Sequence, residues 1–272
     1  MAKEDIVAGF RSVDQTADPA AFIHFLETVS AMAAIQALKR RTFALLDVQP
    51  GQHLLDIGCG LGDEARALAQ LVGNTGRVVG IDTSETMIAE ARERITGQNL
   101  PVEYAVGDIH ALDFADNTFD GCRAERILGH VANPRQAVAE LCRVAKSGAR
   151  IVALDPELDT LVLNAEDRAT TRKLLHFYSD SARNVWIARQ FRRLFHEAHL
   201  IDVAIFADTM MFTSYAEADQ IFRLQDTAKR AQAAGVVSEA EGTAWLEELQ
   251  QADQGGQFFA AMTFFFVRGR KP

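Results

Sequence analysis

The sequence predicts an α/β fold: a doubly wound, seven-stranded, mostly parallel sheet with helical insertions forming a substrate cap. Three observations point there. Short β-branched apolar runs alternate with stretches of helix length from residue 53 to residue 154, and strands joined in this way make right-handed βαβ crossovers. A glycine cluster follows the first of these runs. Acidic residues Asp82, Asp108, Glu125 and Asp155 follow strand ends, the edge at which such sheets bind ligands.

Residues 1–18 are polar and are expected to be loosely held. From 19 to 48, Phe22, Phe25, Leu26, Val29, Met32, Ile35 and Leu38 recur at spacings of three and four, which predicts two N-terminal helices. Pro50-Gly51 ends them. His53–Ile57 is the first strand, 63–72 a helix, and 77–81 the second strand, ending in Asp82. Ser84 is placed to cap a helix to about Ile95. Strands follow at 102–106 and 119–123. Asn133-Pro134 reads as an N-cap with proline at the first helical position, opening a helix to Ala145. The fifth strand is 150–154.

Beyond it, 157–185 is helical in composition and 186–199 is an amphipathic helix, with Trp186 counted among its core residues. A sixth strand is expected at 202–207. Two helices within 214–252 join through Gly235, and a seventh strand spans 258–268. No linker separates a second domain, so 1–272 is read as one domain with cap insertions at 157–185 and 214–252.

Composition narrows the function. The chain is 48% hydrophobic, enough for a sizeable core, and its formal net charge of −9 disfavours a phosphate backbone as partner. Cys59, Cys122 and Cys142 form no C-x-x-C pair, which fits a reducing, cytoplasmic setting. Met1 to Asp5 opens without the apolar region of a secretory signal, and no run of eighteen apolar residues exists to span a membrane.

The central motif is Leu54-Leu55-Asp56-Ile57-Gly58-Cys59-Gly60-Leu61-Gly62. Its glycines allow a sharp strand-to-helix turn and close approach of a ligand to backbone. The third glycine of a dinucleotide loop is replaced by Asp63, whose carboxylate would repel a pyrophosphate. Asp82 ends the next strand twenty residues after Gly62, where a carboxylate accepts from both hydroxyls of a ribose. Together these favour an adenosine ligand without phosphates.

At these residues the chain resembles the class I S-adenosylmethionine-dependent methyltransferases, with their Rossmann-like sheet, and within them the ubiquinone/menaquinone-biosynthesis-like (type 11) group. LLDIGCGLG (54–62), VVGIDTSETMIAEAR (78–92), VGDIHALDFADNTFD (106–120) and ERILGHVANPRQAVAELCRVAKSGARIV (125–152) carry the likeness. The resemblance implies S-adenosyl-L-methionine as cofactor. It places Asp56, Gly58, Cys59 and Gly60 at the methionine portion, Asp82 at the ribose, and Thr83 and Met87 along the adenosine. Gly107, Asp108 and Ile109 match the adenine-binding motif. Arg123 and Glu125 join the expected cofactor contacts from the fourth strand. Two departures stand out: Lys146-Ser147-Gly148-Ala149 replaces the usual K-P-G-G exit, and Arg123-Ala124-Glu125-Arg126 is unusually charged.

Methyl transfer is an in-line displacement, so alignment and exclusion of water are the protein's main tasks. A base is needed where the acceptor must lose a proton early. His130 is the first candidate, against a reading in which it only packs the following turn. Glu125 is the second, against binding the methionine amine or Arg126. Asp155 is read as shaping its loop. His196-Glu197-Ala198-His199 is not the zinc H-E-x-x-H pattern, so no metal is assigned. The expected partner is a small-molecule acceptor, aromatic or polyketide-like, against Phe22, Phe25, Trp186, Phe212, Tyr215 and Phe222, each also explicable as core. Arg189 and Arg192 are weighed as contacts to an acidic substrate against ordinary solvated charges. Two other classes stay open: a cofactor-binding protein with a non-methylating or regulatory role, and a nicotinamide-dependent oxidoreductase.

Overall fold

A computed structural model describes residues 9–272; the reading of residues 1–8, including Met1 to Asp5, lies outside the described residues. Strands β1 (His53–Ile57), β2 (Arg77–Asp82), β3 (Val102–Val106), β4 (Phe119–Glu125) and β5 (Ala145–Pro156) form the parallel part of one sheet, ordered β3-β2-β1-β4-β5. The C-terminal strand β8 (Ala260–Arg270) runs antiparallel against β5, and β7 (Ile201–Phe212) pairs with its other side. The strands β1 and β4 and the second half of β5 are buried almost throughout because both their faces are covered, and the charged residues they carry, Asp56, Arg123, Glu125 and Asp155, are buried with them.

The sheet has eight strands where seven are expected. The extra one, β6 (Val162–Leu163), has two residues paired to Ala261 and Ala260, too short to leave a periodic signal. The strand expected at 202–207 extends over twelve residues, because β8 offers a partner along its whole length. Likewise β5 starts at Ala145 rather than Arg150.

Helices α1 (Pro19–Ser30) and α2 (Ala33–Leu46) are the two N-terminal helices, meeting at 82°. Among the described residues no single helix is long and apolar enough to cross a membrane, and this bent pair buries Phe22, Val29, Ile35 and Leu38 inside the fold. Helices α3 (Asp63–Val72), α4 (Glu85–Arg94) and α5 (Pro134–Val144) follow β1, β2 and β4. Ser84 and Asn133 cap α4 and α5 by accepting from Met87 N and Gln136 N, as their positions predict.

The cap holds α6 (Arg168–Ser179), α8 (Tyr215–Phe222), α9 (Leu224–Ala233) and α10 (Glu239–Gln254); α7 (Ile187–Glu197) packs on the sheet. Three helices stand where two are expected within 214–252, because Arg223 turns into the left-handed region (φ 53°) and splits the first. Trp186 is 55% exposed instead of buried: it precedes α7, and its Nε1 donates to Asp159 at 2.7 Å. Residues 9–18 are not loose. Val13 is buried with Phe22, Leu61 and Met87, and Asp14 accepts from Ser84 Oγ (2.6 Å) and Glu85 N (2.7 Å), bracing the start of α4. His196 lies in the last turn of α7 while His199 is past its end at φ 60°, so the two do not share a helix face.

Candidate functional site

The loop from β1 to α3 folds back on the end of β2. Gly58 N and Cys59 N both donate to Ile81 O, at 2.7 and 3.0 Å. Gly58 has φ +68°, and a Cβ there would lie 1.8 Å from Ile127 Cδ1, so neither a side chain nor another backbone geometry fits. Gly60 N donates to Asp82 Oδ2 at 2.9 Å, and Ser84 N donates to Asp82 Oδ1 at 3.0 Å. Asp82 thus ties the loop to the start of α4 while lining the cavity above it. Burial pushes its carboxyl up, and the N–H groups of Ser84, Gly60 and Thr83 oppose that. Each oxygen keeps a lone pair for a further donor.

The cavity has a volume of about 480 Å³. Gly58, Cys59, Gly60, Asp82, Thr83 and Met87 line one end of it. Gly107, Asp108 and Ile109 line the same end from the turn after β3. Asp108 Oδ1 accepts from His110 N (2.9 Å) and from His110 Nδ1 (2.6 Å), while His110 Nε2 accepts from Asn133 N at 3.1 Å. His110 therefore carries its proton on Nδ1 and orients Asp108, a role the sequence reading missed. Burial pushes the Cys59 thiol far up, so it stays neutral.

Asp56 does not face the cavity. It is fully buried beneath the loop, where Arg123 Nη1 donates to its Oδ1 at 2.6 Å. Arg123 also donates to Thr42 Oγ1 (2.7 Å) and to Glu125, whose other oxygen is 3.3 Å from Arg126 Nε. Lys39 pairs with Glu64 nearby. Burial raises Asp56 to about 6 even against Arg123. Burial also pushes Glu125 up, but Arg123, Arg126 and Lys39 outweigh it and hold that carboxyl low. Arg123 and Glu125 do border the cavity, as a rigid charged floor.

The opposite end is built from α1, the turn after β4, the end of β5 and the segment before α7. Phe25 lines it, but Phe22, Phe212, Tyr215, Phe222 and Trp186 do not: the first four are buried in the packing of α1 and the cap, and Trp186 faces out. Arg189 is drawn away by Glu157 and Asp159, and neither it nor Arg192 lines the cavity. In their place stand Phe10, Leu158, Val185 and Ile187, contacts between distant segments that no local pattern announces. His130 lines this end. Burial, then Arg11, Arg126 and Arg183, push it down to about 4, so the imidazole is neutral at ordinary pH.

Asp155 is the residue whose weight the sequence reading underestimated. It is 1% exposed, its Oδ1 accepts from Gly129 N at 3.2 Å, and its Oδ2 has no hydrogen-bond partner among the described residues. Burial lifts its carboxyl to about 8. The folded protein therefore holds a proton that the unfolded chain releases near 3.8. The resulting stabilisation is complete below that lower value and is lost as pH rises through about 8. Asp155→Asn is expected to flatten the fall in Tm between roughly pH 4 and 8, measured by scanning calorimetry; an unchanged slope would place the proton elsewhere.

The residues present suit a phosphate-free adenosine. Asp63 and Glu64 both line the cavity at the N-terminus of α3, where a pyrophosphate would meet two carboxylates. Ile127 packs directly on Gly58, and the Gly58 and Gly60 backbone borders the cavity with no side chain of its own.

Comparison with known proteins agrees. A family model described as a methyltransferase domain matches residues 55–153. A Streptomyces fradiae protein, described as an uncharacterized 37.1 kDa protein in transposon TN4556, is 36% identical over 247 residues, covering 90% of this chain and 70% of that protein. A demethylmenaquinone methyltransferase of Shouchella clausii is 35% identical over 137 residues, covering 50% of this chain and 58% of that enzyme. The phosphoethanolamine N-methyltransferase 2 of Haemonchus contortus, solved in complex with S-adenosyl-L-methionine, shares the fold at a TM-score of 0.63 and 19% identity, over 97% of this chain and 60% of that one. The glycine loop, the carboxylate that braces it and these likenesses lead to one conclusion: the chain belongs to the S-adenosylmethionine-dependent methyltransferase family.

Proposed function

We propose that the protein transfers a methyl group from S-adenosyl-L-methionine to a small, largely apolar acceptor of aromatic or polyketide-like shape. One observation carries this reading: the cofactor-motif residues and a buried, half-unpartnered carboxyl, Asp155, line the same cavity. Bound there, the cofactor supplies a methyl group activated by its sulfonium charge. Asp82 would hold the ribose, Asp108 and Ile109 the adenine, and the Gly58–Gly60 backbone the methionine portion.

The chain's own contribution is to place the acceptor and keep water out. Phe25, Val185 and Ile187 supply an apolar wall. Of the titratable groups at that end, His130 binds protons too weakly near neutral pH to serve as the main base. Glu125 is committed to Arg123 and Arg126 and acts as their counter-ion. Asp155 already holds a proton near pH 7 because of its burial, so its unpartnered Oδ2 side would donate a hydrogen bond to the acceptor and orient it rather than take its proton. Three free cysteines fit a cytoplasmic setting.

The expected result in calorimetry is micromolar binding of S-adenosylmethionine and of its demethylated product, S-adenosylhomocysteine. Incubation with methyl-labelled cofactor and a metabolite extract should then yield a labelled organic product. Binding with no labelled product would favour a non-methylating or regulatory role; heat from NADH and none from either sulfur nucleoside would sink the assignment.

A further inference from the structure

The acceptor end of the cavity collects positive charge in a chain whose formal net charge is −9. Arg11 arrives from the segment before α1, Arg126 from the turn after β4, and Arg183 from the loop between α6 and α7, and all three line the cavity. Each helps to lower the proton affinity of His130, so each lies within electrostatic reach of that ring. Arg11 and Arg183 are held by main-chain carbonyls: Arg11 Nη2 donates to Ser181 O at 2.7 Å, and Arg183 Nη1 to His130 O at 3.3 Å. A guanidinium has five N–H donors, so these bonds leave most of each group unused. Arg11 Nε and His130 Nδ1 are buried without a hydrogen-bond partner among the described residues, while Arg126 Nε lies 3.3 Å from Glu125 Oε1.

Of these three cations, only Arg126 is answered by an acidic residue lining the same cavity. Asp63 pairs with Arg66, Glu64 with Lys39, Asp82 with two backbone N–H groups, Asp108 with His110, and Glu125 with Arg123 and Arg126. Among the described residues neither Arg11 nor Arg183 has an ion pair. Asp155, at this end, is neutral near pH 7 because of its burial. A cofactor that brings a sulfonium adds to the imbalance, and positive groups gathered in a half-closed cavity are relieved by an anion.

Resting on the methyltransferase reading above, we propose that the acceptor is an apolar-bodied carboxylic acid whose carboxylate is seated by Arg11 and Arg183 beside His130. A carboxylate matches the planar fork of a guanidinium. Phe10, Phe25, Val185 and Ile187 suit a hydrocarbon or aromatic body, and the wall they form disfavours a dianion.

The test uses the full chain saturated with S-adenosylhomocysteine, so that the cofactor's own carboxylate is already housed. 2-Naphthoate, 2-naphthalenemethanol and 2-naphthyl phosphate are titrated calorimetrically as probes. The acid should bind at least about tenfold more tightly than the alcohol. Arg183→Ala should bring the two within about threefold, Arg183→Lys should keep part of the preference, and Arg189→Ala, whose parent side chain lies outside the cavity, should keep all of it. S-adenosylhomocysteine binding in each variant reports that the fold is intact. Equal affinity for acid and alcohol, a preference that survives Arg183→Ala, tightest binding of the phosphate, or no binding of any probe would each overturn the carboxylate seat while leaving the cofactor assignment standing. Failure of the parent to bind S-adenosylhomocysteine is a separate result; it removes the methyltransferase reading, and this proposal falls with it.

Discussion

Asp82→Ala is expected to weaken binding of S-adenosylmethionine and S-adenosylhomocysteine by about a hundredfold, because hydrogen bonds to a charged partner contribute roughly 1.5–3 kcal/mol each. Two separate losses combine. The carboxylate would accept from the ribose hydroxyls, and it already accepts from Gly60 N and Ser84 N. Without it, the glycine loop is no longer tied to the head of α4, so the methionine end is disturbed along with the sugar. Asp82→Asn separates these effects. Its amide oxygen can still accept from one N–H, but its nitrogen cannot accept from a hydroxyl, so an intermediate loss is expected. Isothermal calorimetry with S-adenosylhomocysteine reads both variants, and wild-type affinity in Asp82→Ala would remove the sugar contact from the scheme.

Arg123→Met should be the most damaging single change to stability. Three carboxylates (Asp56, Glu64 and Glu125) and three cations (Lys39, Arg123 and Arg126) are packed beneath the glycine loop. Arg123 is the hub: it bonds Asp56, Glu125 and Thr42, and its side chain is 2% exposed. Removing one partner of a buried pair strands its counter-charges and costs about 3–5 kcal/mol. Urea unfolding should show that loss as a lower midpoint at unchanged slope.

The pH dependence follows from the sign of the change. Once the cation is gone, burial raises Asp56 and Glu125 together, the folded state binds more protons than the unfolded chain, and the deficit shrinks as pH falls. Combining Arg123→Met with Asp56→Asn and Glu125→Gln should recover much of the stability, since no charge is then left unpaired at this hub. A cost below about 1 kcal/mol for the single change would mean the cluster relaxes or admits water, and would end its role as a rigid floor.

The parallel half of the sheet was legible residue by residue. Ser84 and Asn133-Pro134 announce their helices through chemistry local to the cap, and β1 to β4 through short apolar stretches between turn signals. The part of the cavity lined by the glycine loop was legible for the same reason. Gly58, Gly60, Asp82 and Asp108 all sit at strand ends, so knowing the strands was enough to gather them on one edge. The acceptor end was not. Phe212, Tyr215 and Phe222 satisfy the same hydrophobic pattern whether they face a cavity or a core, and they face the core. Arg11 and Arg183 stand 172 positions apart and meet only because the segment before α1 and the loop before α7 both fold over the turn that carries His130.

The sequence by itself determined the succession of β1 to β5 and the helices between them, the glycine loop and the carboxylate that braces it, because each is a short-range consequence of neighbouring residues. Tertiary structure alone decided which apolar side chains line the cavity and where β6 pairs. It also decided that Asp155 carries a proton and that Arg123 is locked between Asp56 and Glu125. Burial and charge pairing depend on segments distant in the chain, and no local pattern of residues encodes the dielectric that those segments create when they meet.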